Sequence, residues 1–158
     1  MLTSIPTSIE HASYLSMEDI VLDLDVLSVA QLFDAVDKHM SVTMDIPTGP
    51  IALHLRNRER IGSTGLGKGV AVPHARVKNL SDARLGYFRL KTPIDFSSED
   101  KIPVSDVFVL LVPEQANERH LEILASLCSQ MASEQFRTRL HACESANDVA
   151  VLFAAGIQ

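Results

Sequence analysis

The stretch Val104–Val112, VSDVFVLLV, is rich in β-branched and aromatic residues and ends in six consecutive apolar positions, Val107 to Val112. A run without polar alternation predicts a central strand covered on both faces, and Pro113, which has no N–H to donate, ends it. Such a strand needs helices on each side. Downstream, Glu118–Ala132 carries two adjacent apolar stripes at helical spacing, Leu121, Ala125 and Cys128 beside Leu124, Leu127 and Met131, as on a helix that lies on a sheet. A closing helix follows, with Ser145 as N-cap and Gly156 as its stop. Upstream, Arg84–Leu90 (RLGYFRL) reads as a second strand, and Val70–Val72 as a short extended segment, because Pro73 disfavours helical geometry at the residue before it. Asp19–Leu24 (DIVLDL) reads as a further strand. The next helix starts with Ser28 as N-cap, Gln31 closing a capping box and Leu27 and Leu32 forming a hydrophobic staple. It runs to about Met40 with Val29, Leu32, Phe33, Val36 and Met40 on one face. Another helix opens at Pro50 and runs to about Glu59 before Gly62 stops it. Strands separated by helices make the chain α/β, one domain with a mixed sheet flanked by helices on both faces.

Length agrees with a single core, since 158 residues suit one domain. Residues 1–15, with Ser, Thr and Pro and no period, read as a poorly ordered lead-in, and 16–156 as the domain. A formal charge of −6 argues against binding to a phosphate backbone, so nucleic acid is not an expected partner. The longest apolar run is far short of a bilayer span, and MLTSIPTSIE lacks the basic and apolar regions of a secretory signal. A cytoplasmic protein without membrane insertion is expected. Cys128 and Cys143 form no CxxC and read as reduced core thiols.

Chemistry concentrates in Gly62–Arg76, GSTGLGKGVAVPHAR, which has four glycines in its first eight residues. Gly62, Gly67 and Lys68 satisfy the G-x-x-x-x-G-K of a nucleotide P-loop. Position 69, however, is Gly where Ser or Thr must hold Mg²⁺, and a helix precedes the loop where a strand should. What survives is a chain able to take positive φ and to turn N–H groups toward an anion. Ser63, Thr64, Gly65 and Gly67 are therefore candidates for cradling a phosphate.

His74 follows this loop on an extended Val-Pro approach, beside the small Ala75. With an ordinary pKa of roughly 6.5, an imidazole offers an unprotonated nitrogen that can attack phosphorus. Phosphoryl transfer then asks mainly for in-line positioning and for positive charge on the equatorial oxygens. Arg58 shares the apolar stripe of Ile51 and Leu55, while Arg56 and Arg60 point the other way. A guanidinium directed inward calls for an anionic partner. His120 lies in the first turn of the helix after the apolar strand, near the strand's carboxyl end, where α/β sheets place ligands. The remaining histidines, 11, 39, 54 and 141, show no metal-ligand spacing, so no metal is expected. Ser63 has no G-x-S-x-G elbow around it, which disfavours a hydrolase triad.

Taken together, the segment RERIGSTGLGKGVAVPH, the following TPIDF, the LLVP strand end and the helix opening with His120 resemble the IIA domain of the bacterial phosphotransferase system, mannitol/fructose class. Within that class the loop is most similar to the nitrogen-regulatory IIA proteins. The resemblance covers about Ser16 to Gly156 and implies a five-stranded mixed sheet with helices on its faces. It implies His74 as the phosphorylated histidine, with Arg58 and His120 around it, and requires no metal or organic cofactor. The implied donor is an HPr-like phosphocarrier, and the implied targets are regulatory, such as potassium transporters and sensor kinases. Two alternatives stay open: a sugar-specific IIA that donates to a separate fructose-type or mannitol-type IIB, and a binding module never phosphorylated on His74.

Overall fold

The computed structural model describes residues 14–115 and 118–155, so the lead-in to residue 13 and the stop at Gly156 lie outside the described residues. In chain order the elements are β1 (Leu15–Leu24), α1 (Val29–Met44), α2 (Pro50–Ile61), β2 (Gly65–Gly67), β3 (Val70–Ala71), β4 (His74–Val77), β5 (Arg84–Ile94), β6 (Val104–Pro113), α3 (Glu118–Ala132), α4 (Glu134–Ala142) and α5 (Ala146–Ala155). The sheet order is β1-β5-β6-β3-β2, with β4 also on β6. β1 runs parallel to β5, β5 antiparallel to β6, and β3 and β4 both parallel to β6.

β6 is the central strand its composition predicts. Val107, Val109 and Leu111 face one core with Phe33, Val36 and Met40 of α1 and Ile51 and Leu55 of α2. Phe108 and Leu110 face the other, with Ile123, Leu127 and Met131 of α3, Phe136 and Leu140 of α4 and Val149 and Phe153 of α5. The period of two along a strand divides one apolar run between two cores.

The sheet has six strands where the resemblance implies five. β3 meets β6 at Asp106 and Val107, and β4 meets it from Leu110 to Pro113, so the two form one broken line along the same edge. Pro73 lies in the break. It cannot donate to a ladder, but its carbonyl accepts from the Leu110 N–H at 3.0 Å. Two of the six strands, β2 and β4, have no strand pattern in the sequence: β2 is built from Gly-Leu-Gly, and β4 is held by register with β6.

Several boundaries and faces differ from expectation. α1 continues past Met40 to Met44 and ends at Asp45, which takes a left-handed conformation without being glycine. Ser28 does cap α1, accepting from the Gln31 N–H at 3.1 Å. Gln31, however, reaches one residue further back, to the Leu27 N–H at 2.8 Å. Leu27 is 70% exposed, so no hydrophobic staple forms with the fully buried Leu32. On α3 the core face is Ile123, Leu127 and Met131. The expected stripe of Leu121, Ala125 and Cys128 instead has Leu121 67% exposed, Ala125 exposed and Cys128 half-buried. A helix without an expectation, α4, begins at Ser133, whose hydroxyl accepts from Phe136 N–H at 3.2 Å. Among the described residues, no helix is long and apolar enough to cross a membrane.

A single carboxylate ties α1 to α2. The second helix opens at Gly49, which has no side chain for capping, and the buried Asp37 of α1 supplies the cap from a distance. One of its oxygens accepts from the N–H groups of Gly49 and Ala52, at 2.9 and 2.7 Å. A carboxylate at a helix N-terminus also opposes the positive end of the dipole. α2 is thereby fixed against α1, and with it the residues of its last turn.

Candidate functional site

His74 stands at the first position of β4, opposite Leu110, just past the break in the strand line. Its ring is half-buried, and Nδ1 lies 3.0 Å from the carbonyl oxygen of Val72. A carbonyl only accepts, so this contact assigns the proton to Nδ1 and leaves the lone pair on Nε2. Arg58 meets that lone pair, with its Nε donating to His74 Nε2 at 3.3 Å and its NH1 to the Gly62 carbonyl at 2.8 Å. The inward direction read from helical phase is therefore observed. Arg56 turns away to Asp34 at 3.0 Å, while Arg60, which does not line the cavity around His74, donates to Asn57 at 3.2 Å.

His120 is 9% exposed, and its Nε2 is 3.7 Å from Asp82 in the turn before β5. It shares with His74 and Arg58 a cavity of about 400 Å³ at the carboxyl-terminal half of β6, floored by Leu110 and Val112. Three further polar residues line it that the sequence reading passed over: His54, Asn57 and Arg76. The signal for His54 was available, since it precedes Arg58 by four residues on one helix and so shares its face. Arg76 could be found only with the register, because alternation along β4 puts it on the side of His74. Ile61 and Leu121, 84% and 67% exposed, give the mouth an apolar rim.

The glycine loop is placed differently from the expected cradle. Ser63, Thr64, Gly65 and Gly67 do not line the cavity, and several of their polar groups have partners inside the loop's own neighbourhood. Ser63 donates its hydroxyl to the Phe96 carbonyl at 2.5 Å and accepts from the Gly65 N–H at 3.0 Å. Thr64 donates both its N–H and its hydroxyl to Glu59, at 2.9 and 2.7 Å. Next to Gly67, the Lys68 N–H donates to Asp100 at 2.8 Å, where Lys68 takes a positive φ of 61°. The freedom that glycine brings here serves a tight β2–β3 turn, with φ of +88° and +79° at Gly67 and Gly69.

The two cysteines and Tyr87 are held in their protonated forms. Cys128 and Cys143 are free and half-buried, and burial pushes both thiols above their ordinary range. Tyr87 is held strongly protonated by burial and by the adjacent Asp106, to which its hydroxyl donates at 2.5 Å. A histidine with an unprotonated Nε2, an arginine on that nitrogen, and a second arginine and histidine in the same cavity bring together the kinds of group that phosphoryl transfer to a histidine requires.

Residues 13–155 match the family described as phosphoenolpyruvate-dependent sugar phosphotransferase system, EIIA 2. The chain belongs to this EIIA 2 family. Among EIIA 2 relatives, it is 40% identical over 89 residues to the nitrogen regulatory protein of Pseudomonas aeruginosa, a match spanning 56% of this chain and 58% of that protein. It is 31% identical over 143 residues to a nitrogen regulatory protein homolog of Haemophilus influenzae, covering 88% of this chain and 87% of the other. The crystal structure of the nitrogen regulatory protein IIA-Ntr from Neisseria meningitidis superposes with a TM-score of 0.84 at 34% identity, over 90% of this chain and 97% of that one. The α/β architecture derived from β6 outward is thus the EIIA 2 architecture.

Proposed function

We propose that the protein accepts a phosphoryl group on Nε2 of His74 from an HPr-like phosphocarrier and signals nitrogen or metabolic state to cytoplasmic target proteins through the presence of that group. The observation that carries the reading is the His74 ring itself: Nδ1 is committed to the Val72 carbonyl, and Nε2 is turned to an arginine-lined cavity. In the step, the Nε2 lone pair forms a bond to phosphorus while the carrier's phosphorus–nitrogen bond breaks, and the carrier's imidazole keeps that electron pair. His74 retains its Nδ1 proton. The ring gains positive charge as the bond forms, which the Val72 carbonyl stabilises, while Arg58 shifts from Nε2 to the phosphoryl oxygens. His120 and Arg76 supply further donors from the same cavity.

Two phosphate-borne charges arriving at an apolar-rimmed cavity on an acidic chain change its docking face abruptly. The nitrogen-regulatory names of the relatives support a regulatory output over donation to a sugar-specific IIB. Potassium transporters and sensor kinases are the kinds of target this reading implies. The test compares pull-downs with phosphorylated wild type and with His74→Ala, next to the rate of discharge onto a fructose-type IIB. At least one target should bind the two forms with affinities differing about tenfold, roughly 1.4 kcal/mol of coupling. Equal partner sets together with fast discharge to IIB would replace the regulatory reading by the transport one.

A further inference from the structure

We infer that Glu59 is a positioning residue for phosphoryl transfer, acting on His74 through Thr64 and Val72. The inference rests on His74 being the acceptor and adds to it the device that prepares its ring. Glu59 follows Arg58 in the last turn of α2, and its two carboxylate oxygens accept from Thr64, one from the N–H at 2.9 Å and one from the hydroxyl at 2.7 Å. Thr64 is 6% exposed, so these bonds are shielded from water. Its own carbonyl accepts from the Val72 N–H at 3.0 Å, and the Val72 carbonyl accepts from His74 Nδ1 at 3.0 Å.

Each link in this series removes a rotation. The Val72 N–H is pinned by Thr64, and Pro73 confines Val72 to extended backbone. The peptide beyond is pinned again where the Pro73 carbonyl meets the Leu110 N–H at 3.0 Å. The Val72 carbonyl therefore has one direction, and it points at Nδ1. A fixed acceptor there selects the Nδ1–H tautomer, the only neutral form with its lone pair on Nε2 toward the cavity. Because Glu59 and Arg58 are neighbours on one helix turn, the same clamp sets the distance from the Arg58 guanidinium to that nitrogen. Thr64 in this arrangement orients His74 from outside the cavity lining.

The test is ¹⁵N NMR of the His74 ring in the unphosphorylated protein, which reports the tautomer with no donor present, joined to single-turnover transfer from the phosphorylated carrier. Wild type should show one tautomer, protonated on Nδ1. Glu59→Ala should show a mixture of tautomers and a transfer step slowed on the order of tenfold, with KM for the carrier within about twofold. Thr64→Val should move both readouts the same way, and Thr64→Ser, which keeps the hydroxyl, should recover most of what Thr64→Val loses. Glu59→Gln keeps an acceptor and substitutes if Glu59→Ala does not fold, with an intermediate effect expected. A folded Glu59 or Thr64→Val variant with an unchanged tautomer, or with an unchanged transfer rate, overturns the inference. If wild type shows the single tautomer yet takes no phosphoryl group, the carrier reading fails while the tautomer readout still decides the role of Glu59.

Discussion

The Nε of Arg58 donates to Nε2 of His74 across 3.3 Å, on the one ring nitrogen that has a free lone pair. A phosphoryl group on Nε2 uses that lone pair, so the bond to Arg58 and the bond to phosphorus exclude each other. On the proposed function, Arg58 releases the ring as the phosphoryl group arrives, and its fork of donors then faces the new oxygens. Arg58→Lys keeps the charge but loses the planar fork, and should slow transfer about tenfold. Arg58→Ala should slow it on the order of a hundredfold. Single-turnover rates measured with the phosphorylated carrier check both, and rates equal to wild type would make the contact merely structural.

His120 is nearly buried in the same cavity, beside Asp82. On the proposed function it assists the transfer from the cavity wall and holds no part of the acceptor bond. His120→Ala should therefore lower the transfer rate on the order of tenfold or more while the labelled residue stays the same. Mapping the label by mass spectrometry, with a parallel rate measurement, separates this from loss of the acceptor. An unlabelled His120→Ala protein that is still folded would contradict the assignment.

Gly65 is the loop glycine with the least room. A Cβ built there would lie 2.1 Å from Ser98 Oγ and 3.0 Å from Ser98 Cβ, and Ser98 is itself buried. Gly65→Ala should cost about 1–2 kcal/mol of stability by overpacking, and Ser98→Ala in the same chain should restore part of it. Thermal unfolding of the single and double variants reads this out; additive losses would show that the two residues do not press on each other.

Asp100 gives the loop a pH dependence. The backbone N–H of Lys68, then that of Ile102, hold its carboxyl below the ordinary 3.8. A depressed folded value means the contribution is complete above 3.8 and fades as pH falls through the lower folded value. The Lys68 amide resonance should hence keep its position down to about pH 4 and move only below it. In Asp100→Asn that low-pH movement should vanish. A Lys68 amide that titrates near neutrality would contradict the assignment.

Where a side chain's direction follows from local phase, the site could be read without coordinates. Helical spacing turns Arg58 inward, and Pro73 forces the extended approach to His74. The apolar run of β6 demands two covered faces, which the structure has. Partners set by the path of the chain could not be read this way. Glu59 looks like any charged residue near a helix end until the loop folds back and presents two donors of Thr64 to it. The glycines suggested an anion nest because glycine permits one, yet the loop's amides at Thr64, Gly65 and Lys68 are used internally. On α3 the periodicity gives two adjacent stripes that omit Ile123, yet in the core shared with α4 and α5 it is Ile123, Leu127 and Met131 that are buried, and Leu121 is left at the cavity mouth.

The most direct measurement of the central claim is to incubate the ¹⁵N-labelled protein with phosphoenolpyruvate, enzyme I and an HPr-like carrier, and to follow the His74 ring and phosphorus by NMR. The predicted result is one phosphoryl group per chain, bonded to Nε2 of His74, stable in alkali and lost in acid, and absent from His74→Ala. No phosphorylation under these conditions, a label that persists in His74→Ala, or a bond at Nδ1 would contradict it.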